Sequence, residues 1–312
     1  GMYELLEAVV ERLPEGEDEL PTMEASDDGL LPEDGSAAPI PDVIRIAVVG
    51  RPNIGKSTLV NQMLGEDRHV VHDSPGTTMD PVDSELEVDG QRYVVVDTAG
   101  VRRKSKIDDR LERFVSLRSI RAIERCHVTL LLIDATVGVT SQDARLVDLV
   151  IGRGRALVIC VNKWDLTKDR EDIDSKSVED DLRRRLPHAP WAPHLYISAK
   201  TGKGLHRVLP LVREVFQQFN QRVPTSRLNR FLEDAVAAHS PPQRYHRPVR
   251  LYYMTQTRIR PPTFVFWGNT PDAVGKPYQR YLQNRLREAF GLEGTPLKLH
   301  FRARRKLGDP AG

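Results

Sequence analysis

The sequence of 312 residues has only two cysteines, Cys126 and Cys160, too few for a disulfide framework. Both lie in apolar surroundings and read as small core side chains of a protein in a reducing, cytoplasmic setting. No apolar run approaches the ~18 residues that a spanning helix needs, which argues against a membrane protein. The start, Gly1-Met2-Tyr3-Glu4-Leu5-Leu6, lacks the basic segment and long apolar core of a signal peptide. Basic residues are nearly missing from the head of the chain. Residues 1–42 hold Arg12 alone against thirteen acidic residues.

What the head lacks, the tail has in excess. Residues 221–312 carry seventeen Lys and Arg against six acidic residues, and residues 43–220 are nearly balanced, with 28 basic and 25 acidic. The overall net charge of +2 therefore hides a chain that is acidic at one end and basic at the other. With 39% hydrophobic and 29% charged residues, the length suggests two folded units with a linker.

Residues 2–13 have the apolar spacing of a short amphipathic helix. Residues 14–42 are acidic and rich in Pro, Gly and Ser, and read as a flexible linker of 29 residues spanning about 30 Å root-mean-square. Apolar runs then follow at 44–49, 94–96, 128–133 and 156–161, with a shorter one at 195–197. Helical patterns fall at 56–64, 108–124, 141–152, 177–186 and 204–219. This alternation predicts an α/β unit over 43–222, a mostly parallel sheet covered on both faces. The pair 84–89 and 91–97, joined at Asp89-Gly90, predicts an antiparallel hairpin. From 223 to 306 the order changes to helix 225–239, strands 249–257 and 263–267, helix 276–290 and strand 296–302, a small α+β unit before a tail at 307–312. Gly204 to Val212 shares a G-apolar-x-x-apolar-L-x-x-V pattern with Gly1 to Val9, so residues 1–13 read as the remnant of the last helix of a preceding copy.

Gly50-Arg51-Pro52-Asn53-Ile54-Gly55-Lys56-Ser57 fits G-x-x-x-x-G-K-[ST] between a predicted strand and a predicted helix, the context of a P-loop. Its N–H groups and the helix N-terminus suit phosphate, with Lys56 reaching the β- and γ-phosphates, Ser57 ligating Mg²⁺ and Thr58 continuing the binding run. Asp97-Thr98-Ala99-Gly100 ends the next apolar strand. Asp97 can hold Mg²⁺ through water, and the Gly100 amide can sense the γ-phosphate. Asn162-Lys163-Trp164-Asp165 ends a third strand. The Asp165 carboxylate matches guanine N1–H and 2-amino donors, Asn162 supports the loop and the base edge, and the Lys163 stem packs on the ring. Ser198-Ala199-Lys200 offers guanine O6 a backbone N–H. Trp164 reads as packing and Lys200 as a solvated charge. Together these strings, each after a strand, predict a guanine-nucleotide site at one sheet edge. Within Pro75-Gly76-Thr77-Thr78-Met79-Asp80, Thr78 is the expected Mg²⁺ ligand and switch residue, with Thr77 the alternative. His69 and His72 are assigned no role. Val101 stands after Gly100 where many such sites place a water-orienting Gln. Charge stabilisation must then come from elsewhere, either a partner's arginine or a monovalent cation. Asn53 has an amide oxygen suited to potassium beside the phosphates.

Asp97 to Lys106, Ser119 to Arg125, Ile133-Asp134-Ala135-Thr136, Asn162 to Leu166, and the tail segment Tyr278 to Phe290 followed by Gly294-Thr295-Pro296 resemble the tandem-GTPase family called Der or EngA. The resemblance covers about residues 43–306. It implies a P-loop GTPase domain followed by a KH-like domain, with the family's first GTPase domain represented only by residues 1–13. It also implies GTP hydrolysis to GDP as a switch in assembly of the bacterial large ribosomal subunit. GTP or GDP, Mg²⁺ and K⁺ would be the cofactors. Met79 departs from the arginine usual in that family. GTPases that resemble this chain and use potassium carry an Asn at the Asn53 position.

The basic tail interleaves Tyr245, Tyr252, Tyr253, Phe264, Phe266, Trp267, Tyr278 and Tyr281. Charge with aromatics suits RNA. The alternation of Tyr252, Phe264 and Phe266 predicts core instead. Contact with ribosomal RNA is expected to be led by charge, chiefly Arg302, Arg304, Arg305 and Lys306. The expected partners are the large ribosomal subunit and its RNA, not DNA or membrane, and the chain is expected to be a monomer. The alternative is an RNA-binding module that only senses GTP or GDP, or a related GTPase acting on another RNA.

Overall fold

Runs of valine, isoleucine and leucine favour extended backbone because branched side chains pack well on a pleated, covered surface. The computed structural model describes residues 40–65, 83–98, 109–168, 170–242 and 248–303, with side chains of the helix at 109–125 described from Leu117 onward. The apolar runs form parallel strands β1 (Val43–Val49), β3 (Gln91–Val96), β4 (Val128–Asp134) and β5 (Ala156–Asn162), with a short edge strand β6 (His194–Tyr196). β2 (Ser84–Val88) runs antiparallel to β3, and the sheet order is β2-β3-β1-β4-β5-β6. The β2–β3 turn places both Asp89 and Gly90 at positive φ, 51° and 73°, the conformation that the Asp-Gly pair predicts.

Every residue of β4 and β5 is buried, because helices cover both faces of these central strands. On one face, α1 (Lys56–Gly65) and α5 (Val208–Phe219) bring Leu59, Met63, Val212, Phe216 and Phe219 against Ile44, Ile46, Val95, Leu130 and Val158. On the other, α2 (Asp109–Arg125), α3 (Ser141–Gly152) and α4 (Ser175–Arg185) bring Ile123, Val147, Val150 and Leu182 against Ala47, Val49, Leu131, Leu157 and Ile159. Alternate residues of each strand thus feed opposite cores. Each fully buried Leu, Ile or Val contributes about 1.5–3 kcal/mol. Cys126 and Cys160 are both fully buried, as their apolar contexts predict.

The second unit consists of α6 (Thr225–Ala238), β7 (Leu251–Arg258), β8 (Thr263–Gly268), α7 (Lys276–Phe290) and β9 (Lys298–Ala303). β8 is central, antiparallel to β7 and parallel to β9. Leu228, Phe231 and Leu232 of α6 and Tyr278, Leu282 and Leu286 of α7 pack on Met254, Phe264 and Phe266. Phe264 and Phe266 are core, as expected, but Tyr252 is not: it is 45% exposed. The pairing register shifts between Leu251 and Tyr253, so one irregularity turns both tyrosines outward while Met254 points in. Tyr253 stacks on Trp267 at 4.6 Å instead.

The two units meet at the N-terminal end of β5. Leu157 N–H donates to Gly294 O at 2.8 Å, and Gly294 N–H donates to Trp191 O at 3.0 Å. The Arg287 guanidinium lies over the Trp191 ring, 4.7 Å from its centroid, and donates to Leu292 O. Burial pushes its pKa down to about 9, so it stays charged at neutral pH. The small unit thus docks at the pole of the sheet opposite the strand C-termini. Among the described residues no helix is long and apolar enough to cross a membrane. The segments read as the 1–13 helix, and all but Ile40, Pro41 and Asp42 of the linker, lie outside the described residues.

Candidate nucleotide site

β1 has β3 on one side and β4 on the other, so successive crossovers leave it in opposite directions and open a crevice at its C-terminal end. The loop Gly50–Gly55 fills that crevice and leads into α1. Two glycines are required by geometry. Gly50 has φ 146°, and a Cβ there would lie 2.8 Å from Leu132 O. Gly55 has φ 102°, and its Cβ would meet Asn162 Nδ2 at 2.4 Å. The backbone can therefore curl tightly only if side chains are missing at both points.

Lys56 Nζ donates to Gly50 O at 2.8 Å and to Arg51 O at 2.7 Å, folding the ammonium back over the loop. Burial pushes its pKa down to about 8. A desolvated cation beside a helix N-terminus is suited to phosphate. Asn53 is held at φ 56° and is exposed, as is Pro52, while Ile54 is buried against Gly50. Arg51 reaches away from the loop, its Nε 3.2 Å from the fully buried Asp143 carboxylate. Asp143 also closes the α3 capping box, accepting from Thr140 N at 2.9 Å and Thr140 Oγ1 at 2.7 Å. Lys56 and Ser57 open α1, and Thr58 follows on its exposed side.

Asp97 leaves β3 at φ 57°, its N–H donating to Asp83 Oδ1 at 2.9 Å. Asp83 Oδ2 accepts from Arg125 at 2.7 Å. Buried Thr98 shares a 2.9 Å hydrogen bond with Ser84 Oγ. The end of β3, the strand beside β1, is thus tied to the start of β2. Ala99, Gly100, Val101, Thr77, Thr78 and Met79 lie outside the described residues, as do His69 and His72.

Asn162 joins three loops. Its Nδ2 donates to Ile54 O at 2.8 Å, and its Oδ1 accepts from Ala199 N at 2.8 Å. β4 and β5 are in register at Asp134 and Asn162, which sets the Asp134 carboxylate beside the next residue, Lys163. Lys163 Nζ lies 2.6 Å from Asp134 Oδ2. Burial pushes the Asp134 pKa up, but Lys163 and Thr136 outweigh it and hold the carboxyl below its usual range. Asp165 lies in a short 3-10 turn, Trp164–Thr167, and is half-buried. Trp164 packs on Tyr196 with ring centroids 4.3 Å apart, and Lys200 is exposed, as the sequence implied for both. In the 198–200 loop, buried Ser198 donates its N–H to Lys203 O at 2.9 Å. The described members of all four motifs therefore converge at one edge.

Asp83, Asp134 and Asp143 had escaped the motif reading. Each is a single acid whose partner lies far off in sequence. For Asp83 and Asp134 the available signal was that a carboxylate ending or flanking an apolar strand must be paired when buried, and for Asp143 it was the Thr-x-x-Asp spacing of a capping box. Arg302 ends up exposed on β9, on the other unit, and Arg304, Arg305 and Lys306 lie outside the described residues, as does Tyr245.

Known proteins resemble this chain in both of its units. Residues 45–163 match the model of a 50S ribosome-binding GTPase, and residues 222–302 match the C-terminal KH-domain-like model of EngA bacterial GTPase enzymes. GTPase Der of Syntrophobacter fumaroxidans is 44% identical over 99% of this chain, and GTPase Der of Clostridium novyi is 41% identical over 98%. The chain spans about two thirds of the length of these relatives, 66% of each. Among solved structures, Aquifex aeolicus Era aligns with a TM-score of 0.40 and 20% identity, covering 85% of this chain and 94% of that one. A P-loop GTPase domain followed by the KH-like domain of EngA enzymes places the chain in the Der (EngA) family of GTPases.

Proposed function

We propose that the chain binds GTP and hydrolyses it to GDP and phosphate as a switch in assembly of the bacterial large ribosomal subunit. The observation that carries the nucleotide reading is Asn162, which clamps Ile54 of the phosphate loop and Ala199 of the base loop at 2.8 Å each. That clamp fixes the distance between a phosphate site and a base site, as a nucleotide requires. Guanine is read by Asp165, with an N–H of the 198–200 loop on O6. The phosphates lie on the 50–58 run with Lys56.

The donor set suits Mg²⁺, a hard cation that takes oxygen ligands. Ser57 follows the phosphate loop and Asp97 ends the adjoining strand β3, so a hydroxyl and a carboxylate are available at one edge. We assign Mg²⁺ to Ser57, Thr78 and Asp97, the last through water, with Gly100 sensing the γ-phosphate. Mg²⁺ would neutralise phosphate charge there. Without a Gln after Gly100, we assign the remaining charge stabilisation to K⁺ held by the exposed Asn53. The Asn53→Ala variant should then hydrolyse GTP equally in KCl and NaCl, whereas the unmodified chain should be faster in KCl.

The large-subunit assignment draws support from the 50S ribosome-binding description of the matched family model. The basic second unit supplies the contact with ribosomal RNA, through Arg302, Arg304, Arg305 and Lys306. Multiple-turnover phosphate release, with and without large-subunit particles, tests the reading. Turnover that rises with particles supports it. Binding of GTP with no turnover under either condition would leave a GTP-sensing RNA-binding module.

A further inference from the structure

We propose that Asp134 is a positioning residue of the base site: it holds the Lys163 side chain across the end of β4 so that a guanine ring finds it already in place. The inference rests on the guanine reading above.

The geometry is over-determined. Asp134 Oδ1 is fixed by two donors of its own turn, Thr136 N at 2.9 Å and Thr136 Oγ1 at 2.7 Å. The other oxygen, Oδ2, is thereby aimed at the neighbouring strand, where it meets Lys163 Nζ at 2.6 Å. The backbone is held in step as well, since Ala135 N–H donates to Asn162 O at 2.9 Å. Lys163 leaves β5 in the left-handed region, φ 63°, which swings its side chain off the strand axis. The Asp134 side chain is 9% exposed, so its charge needs a partner, whereas the Lys163 side chain is 33% exposed and keeps surface open for a planar base. A free lysine would lose rotamer freedom when the base arrived; a tethered one loses less, and this appears as affinity. Asp165 reads the base edge and so sets both selectivity and affinity, whereas Asp134 acts only through Lys163 and contributes to affinity alone.

A double-mutant cycle tests this, using GDP, inosine diphosphate and ADP as probes of the full chain. Asp134→Asn keeps an oxygen acceptor for Thr136 but presents no charge to Lys163. It should weaken GDP by about three- to tenfold, the scale of one freed side chain. The ratio of GDP to inosine diphosphate affinity should stay as in the unmodified chain, because the 2-amino group is read by Asp165. In a Lys163→Ala background the same change should add nothing, and Lys163→Arg, which keeps the ion pair, should bind better than Lys163→Ala. GDP affinity unchanged by Asp134→Asn, or equal losses in both backgrounds, would overturn the proposal and leave Asp134 as a turn-former. An unmodified chain that binds ADP as well as GDP would overturn the guanine reading itself.

Discussion

The Asp97 N–H is capped by the Asp83 carboxylate at 2.9 Å, and the other oxygen of that carboxylate is paired with Arg125 at 2.7 Å. One half-exposed arginine at the end of α2 and one buried acid before β2 thus hold the residue assigned to Mg²⁺. Asp83→Ala removes both contacts and leaves the Asp97 N–H and the Arg125 guanidinium without this acid. It should lower stability by about 1.5–3 kcal/mol, the scale of a hydrogen bond to a charged group. Urea unfolding measures that loss. Phosphate release should slow more than GDP affinity falls, because the phosphate loop and base site are untouched.

Asn162→Ala removes the clamp between Ile54 and Ala199 and leaves two buried backbone groups without it. At about 1–3 kcal/mol each, the loss should appear both in thermal midpoint and in GDP affinity. Calorimetry and GDP titration on the same samples check it. A variant that loses stability but keeps GDP affinity would show that the clamp braces the fold without setting the site.

Lys56 gives a pH-dependent expectation with a defined sign. Its pKa falls from 10.5 in the unfolded chain to about 8 when folded, through burial. Between these values the unfolded chain binds more protons, so this group makes stability rise with pH across about pH 8 to 10.5. Below 8 its full penalty applies. The difference in thermal midpoint, unmodified chain minus Lys56→Met, should therefore grow from pH 7 to pH 10 without nucleotide. A difference that stays flat would show that the ammonium is not desolvated.

Much of this was legible in the sequence because the fold is built from strongly patterned pieces. Strands with long apolar runs, such as Val128–Asp134 and Ala156–Asn162, have few alternatives, and the Asp89-Gly90 pair names its own turn. Helix ends were read to within about two residues, except that the 204–219 pattern runs through a 3-10 turn at Leu205–Arg207 before α5 begins at Val208. Local patterns say nothing, however, about which distant residues meet. The ties from Asp83 to Asp97 and from Asp134 to Lys163 depend on strand register, and the Arg51–Asp143 pair depends on where α3 begins. Tyr252 was misplaced for a related reason: a single register shift reverses the face of every residue before it. The docking of Gly294 on Leu157 was likewise hidden, since it uses backbone groups that every residue has.

The RNA contact assigned to the basic unit predicts a steep salt response. Association with large-subunit particles should weaken with a slope of about −0.7 to −0.9 per neutralised phosphate in log K against log salt. Replacing Arg302, Arg304, Arg305 and Lys306 together should flatten that slope and leave GDP binding intact. A slope unchanged by the replacement would place the contact elsewhere.

The most direct test of the central claim, a guanine-nucleotide site, is a titration of GDP and xanthosine diphosphate against the unmodified chain and Asp165→Asn. The carboxylate accepts from guanine N1–H and the 2-amino group, whereas an amide donates and so suits the 2-oxo group of xanthine. The account predicts that the unmodified chain prefers GDP, that Asp165→Asn weakens GDP by at least about a hundredfold, the scale of a lost buried pairing, and that the variant prefers xanthosine diphosphate. GDP affinity unchanged in the variant would contradict it.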